Sequence, residues 1–331
     1  MNQAVTPAVP GAGAVAFASD TQDRLAHWAA QRPEALALLH KQHGEWGAWR
    51  WRDVVQAVAQ RRAALAGHGL GPGARLAVSG ALEPQLIVLA LAAHAAGAEV
   101  VVIDRHAQGA ALRAALQAAA PTLAFVQSRQ TLSAWIDSGA THAHTVPVPL
   151  IAAQPARHAS AAWQVLPLAD LLATDAPGPA PVAAPARPRP RLHSLRRALR
   201  GQAVLWVDEG TEWAGGLEQV LADWLRGGQP LAAPESSAAA ARDRREIQPA
   251  RLLASAARRQ RLAEEHGARL APPGSLARWL SDRASDAGGG WLSAWLRRRI
   301  ARLEGLPDQL QPGAVPTVGH PFAETARRVA P

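Results

Sequence analysis

Cysteine and tyrosine are absent from the 331-residue chain, and Lys41 is its only lysine. The lack of cysteine excludes disulfide bonds and thiolate metal sites, and it gives no indication of an oxidising compartment. The single lysine matters for any chemistry that uses an ammonium group, because the planar fork of arginine does not reproduce a point charge. Disulfide-stabilised folds and thiolate zinc modules are therefore excluded.

Long apolar runs are also missing. The longest, Leu86–Ile103, is interrupted by His94, Gly97 and Glu99, whereas a membrane-spanning helix needs roughly 20 consecutive apolar residues. Residues 1–20 lack the basic start of a signal peptide. We therefore expect no transmembrane segment and a soluble, cytoplasmic protein.

Positive charge is in excess and locally concentrated. The formal net charge is +9, from 35 basic and 26 acidic residues. The stretch Arg187–Arg200 (RPRPRLHSLRRALR) holds six arginines and no acid, and Arg196, Arg197 and Arg200 are its candidate anion-binding residues. The run could hold phosphate or anionic lipid, or it could be a solvated helix that follows a linker.

The clearest structural signal is a strand, helix and strand in succession. Arg75–Ser79 and Glu99–Asp104 are apolar without polar alternation, which is typical of strands covered on both faces. Between them, Glu83–Ala96 predicts a helix, and Gly97 stands just past its end, where a left-handed residue is favourable. The pattern predicts a βαβ unit.

Strand and helix patterns continue to alternate on both sides of this unit, which favours parallel sheets with helices on both faces. The expected fold class is α/β, with two mostly parallel sheets flanked by helices. A stretch rich in proline and alanine interrupts the alternation and predicts an extended linker. The expected segments are a disordered N-terminal tail (1–19), a first α/β lobe (20–173), a Pro/Ala linker (174–190), a second α/β-helical lobe (191–305) and a Pro-rich tail (306–331).

Three tryptophans fall in a short predicted hairpin with strands at Ala35–Leu39 and Trp46–Trp51. Trp46, Trp49 and Trp51 could stack on nucleic-acid bases. Packing within the hairpin is favoured, because large aromatic side chains are common in strands.

Several motifs follow one another in an order that is familiar from one enzyme family. Arg32–Pro33 follows the first helix, the aromatic hairpin comes next, G-L-G-P-G-A-R-L-A-V occupies Gly69–Val78, and A-x-x-A-G-A lies within Ala92–Ala98. This order resembles the N-terminal part of AMP-dependent synthetases, the adenylate-forming acyl-CoA synthetase family.

A second block resembles the long-chain fatty-acid branch of that family. Its pieces are LEQVLADWLRGGQPLAAPES at Leu217–Ser236, DRREIQPARLLAS at Asp243–Ser255 and PPGSLARWL at Pro272–Leu280. Together the two blocks cover residues 20–303. The resemblance implies a large N-terminal domain, an acyl or acyl-CoA ligand, ATP with Mg²⁺, CoA and a place in fatty-acid metabolism.

Two parts that the resemblance calls for are missing from this sequence. The family holds ATP phosphates in a Ser/Thr-Gly-Thr-Thr-Gly-x-Pro-Lys-Gly loop, but residues 177–202 read PGPAPVAAPARPRPRLHSLRRALRGQ. Proline removes amide donors, so this segment cannot build the same anion cradle. The sequence also shows no C-terminal domain with a catalytic lysine. We expect a pseudoenzyme that does not adenylate carboxylic acids alone, and we assign no catalytic, cofactor-binding or metal residue.

The fragment Glu209–Glu212 resembles the family motif Y-G-x-T-E, whose glutamate holds Mg²⁺, but it lacks the tyrosine and lies before the Pro272–Pro273 turn instead of after it. The alternative is a strand-to-helix turn in which Thr211 or Glu212 caps the helix. By the order of the resemblance, Val204–Trp213 lies where members of that family line the acyl pocket, which makes pocket candidates of Trp206, Asp208, Glu212 and Trp213.

Other candidate sites are weaker. His142 and His144 share one face of an extended segment, but no carboxylate is close in sequence, so an exposed loop is favoured. Glu264–His266 is explained by a solvated helix face. Ser79–Gly80 lacks the G-x-S-x-G elbow, and the glycines of Gly67–Gly73 follow a helix and not a strand.

Three functions remain open from the sequence. The first is a diverged acyl-CoA synthetase-like protein that binds an acyl or acyl-CoA ligand or acts beside a complete synthetase. The second is an active acid:CoA ligase with an unconventional site. The third is a basic protein that binds nucleic acid or membrane through Arg187–Arg200, although nucleic acid is not the expected partner.

Overall fold

The computed structural model describes residues 11–138, 147–154, 160–173 and 189–269. Within them the strands are β1 (Ala12–Ala14), β2 (Leu36–Gln42), β3 (Glu45–Arg50), β4 (Arg75–Ser79), β5 (Glu99–Ile103), β6 (Leu123–Val126), β7 (Val148–Ala152), β8 (Trp163–Pro167), β9 (Leu205–Trp206), β10 (Leu231–Ala233) and β11 (Arg251–Leu252). The helices are α1 (Thr21–Gln31), α2 (Trp51–Gly67), α3 (Pro84–Ala95), α4 (Gly109–Ala119), α5 (Arg129–Asp137), α6 (Leu168–Ala173), α7 (Leu192–Ala198), α8 (Gly216–Gly227), α9 (Ala240–Ile247) and α10 (Ala256–Arg269).

The strands form two sheets. The first has six strands in the order β1-β5-β4-β6-β7-β8, and only β1 runs antiparallel to its neighbour. The second has five strands in the order β11-β9-β10-β2-β3, in which only the β2–β3 hairpin is antiparallel. The predicted α/β class with two mostly parallel sheets is confirmed. The hairpin pairs with β10, so the second sheet takes strands from both sides of the predicted linker.

Helices α2 and α3 lie between the two sheets. Every residue of Pro84–Ala93 except Gln85 is buried, which accounts for the apolar character of α3 all around its axis. Side chains of the first sheet, such as Leu76 and Val78, share this core with Leu205 and Leu231 of the second sheet. Helices α4 and α5 cover the outer face of the first sheet, and α7 and α9 cover the outer face of the second.

The expected βαβ unit is confirmed, with parallel β4 and β5 joined by α3. Gly97 has a φ of 79°, as its position past the helix end predicts. The hairpin tryptophans are also confirmed as packing residues: Trp46, Trp49 and Trp51 are each at most 3% exposed. Buried rings cannot stack on bases.

Two features differ from the sequence expectation. Residues 1–19 are expected to be a disordered tail, but Ala12–Ala14 forms β1 against β5, and the nearby Phe17 stacks on His94 with ring centroids 4.2 Å apart. The amphipathic pattern of α2 predicts that Arg61 points outward, yet it is 3% exposed. Its guanidinium lies 5.9 Å from the Trp49 ring and donates to the Ala57 carbonyl, contacts that a sequence pattern does not reveal.

Among the described residues, none of the helices combines the length and the apolar character that crossing a bilayer requires.

Candidate functional site

A cleft opens where the carboxyl ends of the two sheets meet. Its first compartment, of about 200 Å³, follows β9 and β10. Its second, of about 210 Å³, follows β4, β5 and β6. Ala81, Arg105 and Ser237 border both compartments. Ligands of open α/β sheets bind outside the carboxyl ends of the strands, so this cleft is the candidate site.

Main-chain hydrogen bonds join the two sheets directly at the cleft. The loop after β4 pairs with the loop after β9 through an antiparallel bridge between Ala81 and Gly210. Leu82 N donates to Glu209 O at 3.1 Å, and Thr211 N donates to Gly80 O at 2.8 Å. We call this contact between residues 80–82 and 209–211 the inter-sheet bridge.

The inter-sheet bridge also uses the amide groups that a phosphate would need. Gly80 N donates to Thr211 Oγ1 at 3.1 Å, Ala81 N donates to the side chain of Gln127, and Gly210 N donates to Glu212 Oε1 at 3.0 Å. A phosphate cradle depends on amides that remain free to point at the anion. These amides already have acceptors within the protein.

Asp208, directly after β9, carries a buried carboxylate that is matched by arginine. Its side chain is 0% exposed and accepts from Arg258 Nε at 3.1 Å and from Arg258 Nη2 at 2.8 Å. Arg244 lies 3.5 Å away. The hydrogen bond from Arg258 to Asp208 raises the pKa of Arg258 above its ordinary value. The fork-to-fork geometry fixes the carboxylate in place.

Glu209 and Glu212 also have partners of their own. Glu209 accepts from Ser255 N at 2.6 Å and from Ser255 Oγ at 2.7 Å. Glu212 Oε1 accepts from Arg105 Nη2 at 2.7 Å, while Arg105 Nε lies 2.6 Å from Glu212 Oε2. The cleft carboxylates therefore hold the protein's own loops together.

The four pocket candidates are placed differently from one another. Asp208 lines the first compartment. Glu212 lines neither compartment, but it contacts Arg105, which lines both. Trp206 is buried in the core on the outer face of the second sheet, because alternate residues of a strand point to opposite faces. Trp213 is half-buried against the core between the sheets and does not line either compartment.

The expectation that Thr211 or Glu212 caps a helix is wrong. Helix α8 begins at Gly216, and its N-cap is Gly215, with a φ of 70°. Thr211 Oγ1 accepts from Gly80 instead, and Glu212 pairs with Arg105. The sequence spacing could not show this, because the partners come from the other sheet.

The candidate anion-binding arginines lie on and just after α7, away from the cleft residues. Arg196, Arg197 and Arg200 are exposed. Arg196 donates from Nε to the carbonyl of Glu246 at 2.8 Å and so ties α7 to the end of α9. The remainder of the arginine run toward Arg187 lies partly outside the described residues, as do His142 and His144.

Sequence reasoning missed Arg105, Gln127 and Arg258. Arg105 and Gln127 closely follow the predicted strands β5 and β6, and a polar residue just after a parallel strand is the sequence signal that could have identified them as site residues. Arg258 is one of three arginines in the first half of α10 and gives no comparable signal.

The described cleft does not fit a nucleoside triphosphate or its metal ion. Glu83, Asp208, Glu209 and Glu235 line the first compartment beside a single arginine, Arg105, and like charges repel. Within the described ranges, no group of three or more His, Asp or Glu side chains could hold a metal ion. The amides of the inter-sheet bridge are already engaged.

Comparisons with known proteins address the family and the fold. A sequence model of the family described as AMP-binding enzyme matches residues 25–190. No match was found among the curated proteins.

Solved structures resemble this chain at low identity. The A-PCP didomain of a carboxylic acid reductase from Segniliparus rugosus, in complex with AMP, gives a TM-score of 0.57 at 13% identity, covering 87% of this chain and 50% of that one. A protein described as a long-chain-fatty-acid CoA ligase from Rhodopseudomonas palustris CGA009 gives a TM-score of 0.51 at 19% identity, and the match covers 73% of this chain and 65% of that one. Acetoacetyl-CoA synthetase from Streptomyces lividans gives a TM-score of 0.51 at 18% identity, and the match covers 75% of this chain and 44% of that one.

This chain thus spans 65% of the Rhodopseudomonas protein and a smaller share of the other two. At these identities the likeness concerns the fold alone. It extends beyond the region of the family match, since 73% or more of this chain is covered. With the family match over residues 25–190, the chain belongs to the AMP-binding enzyme family.

Proposed function

We propose that this chain is a member of the AMP-binding family that does not form acyl adenylates on its own and that binds an acyl group, free or as a CoA thioester, in the cleft between the sheets. The observation that supports it best is the internal use of the cleft amides. Gly80, Ala81 and Gly210 each donate to a side-chain acceptor of the protein.

The sequence supports the same proposal independently. Residues 177–202, which would have to hold the phosphate loop, contain no Ser/Thr/Gly-rich motif. Only contacts that are stronger in the transition state than in the ground state accelerate the chemical step. Without amide donors for the phosphates, the charge that develops during adenylation loses a main source of electrostatic stabilisation.

Acyl binding rests on the shape and lining of the cleft. Ala81, Leu82, Val207, Ala233 and Pro234 give the first compartment an apolar wall. Binding pockets of proteins combine such walls with a few placed polar groups. A place beside a complete synthetase, a role in fatty-acid metabolism and a cytoplasmic location remain predictions from the sequence.

Pyrophosphate exchange tests the first half of the proposal. Purified protein is incubated with ATP, Mg²⁺, labelled pyrophosphate and a panel of fatty and aryl acids. We expect no exchange above a protein-free control. Robust exchange with any acid would show an active ligase with an unconventional site, and the proposal would be withdrawn.

Thermal denaturation with acyl-CoA tests the second half. A ligand that binds only the folded protein adds about 2.7 kcal/mol of stability at 100 times its Kd, so the midpoint should rise with ligand concentration. CoA alone is the control for contacts to the nucleotide part. An unchanged midpoint with every acyl-CoA would reject acyl binding and leave the adenylation result untouched.

A further inference from the structure

The two compartments of the cleft differ in charge. The first carries several carboxylates beside Arg105. In the second, among the described residues, Arg105 and His106 are the only lining side chains that can carry charge, and no acid lines it. Its other polar lining comes from amides and hydroxyls, namely Gln108, Gln127, Ser128, Gln130, Thr131 and Ser237. The second compartment therefore favours an anionic group over a cationic one.

Arg105 is only partly satisfied by its internal partner. Nη2 donates to Glu212 Oε1 at 2.7 Å. Nε lies 2.6 Å from Oε2, so Glu212 occupies the Nε–Nη2 edge of the guanidinium. Within the described residues, Nη1 of Arg105 makes no hydrogen bond to protein. A guanidinium binds carboxylates best through two parallel hydrogen bonds, and this one has donors left over.

Gln127 offers a second unused donor in the same compartment. Its Oε1 accepts from Ala81 N, which fixes which end of the amide is which. Its Nε2 is buried and has no acceptor among the described residues. Buried donors without an acceptor are rare in folded proteins and call for an explanation such as a missing ligand.

We infer that the second compartment binds the carboxylate of a short acyl ligand through Arg105 and Gln127, and that Glu212 is the internal anion with which this carboxylate competes. The inference rests on the proposed function and narrows its ligand class. Length is limited by a compartment of about 210 Å³ whose lining is largely polar. The carboxylate belongs either to a free monocarboxylic acid or to the far end of a dicarboxylic half-thioester.

Titration calorimetry with small probes tests the inference. The probes are butanoate, succinate and uncharged methyl butanoate, and succinyl-CoA against butanoyl-CoA separates the two sources of the carboxylate. Glu212→Gln keeps an acceptor for Gly210 N while it releases Arg105, so carboxylate affinity should rise about tenfold. Arg105→Gln/Glu212→Gln should lose carboxylate binding, and Gln127→Glu, which keeps the acceptor for Ala81, should weaken it.

The matched controls come from an exposed ion pair outside the cleft. Arg75 and Glu99 lie 2.8 Å apart, each with a side chain 42% exposed. Glu99→Gln and Arg75→Gln/Glu99→Gln make the same charge changes and should leave carboxylate affinity unchanged. Circular dichroism of each variant shows whether it is folded.

The outcomes separate this inference from the proposed function. Equal binding of butanoate and methyl butanoate, or a Glu212→Gln variant that binds carboxylates no better than the parent, overturns the inference. The same holds if no probe binds while acyl-CoA still raises the denaturation midpoint, and in that case the proposed acyl binding stands. Pyrophosphate exchange on the same preparations tests adenylation separately.

Discussion

Lys41 lies on β2 between two carboxylates. Its Nζ is 3.1 Å from Asp243 Oδ1 and 2.7 Å from Glu246 Oε2, and its side chain is 5% exposed. It also lies 5.8 Å from the centroid of the Trp46 ring. The only lysine of the chain is thus part of the contact between the β2–β3 hairpin and α9, which is a structural role.

Replacing Lys41 by methionine should strongly destabilise the protein. Breaking a buried ion pair costs about 3–5 kcal/mol when it leaves an uncompensated charge. Asp243 is fully buried but would keep Arg242 Nε at 2.9 Å, so we expect a loss near the lower end of that range. Urea unfolding followed by tryptophan fluorescence measures the decrease in stability.

Two variants check that interpretation. Lys41→Met/Asp243→Asn removes both charges and should recover part of the stability, because the two effects are coupled. Glu246→Gln, at a carboxylate whose side chain is 24% exposed, should cost less than Lys41→Met. A single variant at Lys41 that unfolds at the same urea concentration as the parent would contradict the structural role.

At the scale of elements, the sequence predicts best where one pattern fills a whole segment. Arg75–Ser79, the helix that follows and Glu99–Ile103 are recovered because uninterrupted apolar runs and a glycine at the turn leave few alternatives. Strands β1 and β8 are missed. Ala12–Ala14 has little side chain to form a pattern, and its pairing with β5 is a contact distant in sequence.

The candidate site is predictable only in outline. Asp208 is a candidate from the sequence because it follows a strand and matches the resemblance, and it lines the cleft. Trp206 points to the outer face of the second sheet, opposite to its neighbours Leu205 and Val207, and so does not line the cleft. The partners Arg105 and Arg258 are distant in sequence, so only the folded chain shows which carboxylate each one meets.

The inter-sheet bridge depends on glycine at position 210. A Cβ added there would lie 2.3 Å from the Gly80 carbonyl oxygen and 3.0 Å from Ala81 Cα. Both contacts are with backbone, which cannot rotate away. The close approach of the two loops therefore requires the absence of a side chain.

Gly210→Ala should lower the free energy of unfolding by about 1–3 kcal/mol, the usual cost of forcing extra atoms into a packed site. Chemical denaturation measures it. Gly67→Ala, where an added Cβ meets nothing within 4 Å, should be neutral or slightly stabilising. Equal effects of the two substitutions would mean that the bridge is not a close contact in solution.

At the scale of the whole molecule, the layers position the cleft. Helices α2 and α3 lie between the sheets, with Leu38 and Leu76 in the same core as these helices. The sheets touch through main chain only at the inter-sheet bridge among the described loops. The buried Asp208–Arg258 pair then links the loop after β9 to α10. The site is therefore built where the loop after β4, the loop after β9 and helix α10 meet, and these three segments are distant from one another in sequence.

The arginines at the end of α7 lie on the surface, and none of them lines the cleft. Arg197 and Arg200 are exposed, and no ion pair holds either of them within the described chain. The tryptophans of the described residues are buried or half-buried. Any association of this part of the chain with nucleic acid should therefore go through phosphates, because it offers no exposed tryptophan ring for base stacking.

Arg197→Gln/Arg200→Gln tests this surface and leaves Arg196 in its contact with α9. If the wild-type protein associates with duplex DNA, the slope of log K against log salt should fall by about 0.9 for each phosphate that the variant no longer neutralises. Fluorescence anisotropy at several salt concentrations measures it. Arg62→Gln/Arg129→Gln, on α2 and α5, changes the net charge equally and should leave the slope unchanged. If both double variants lower the slope alike, attraction follows the net charge of the molecule and the α7 surface has no special part in it.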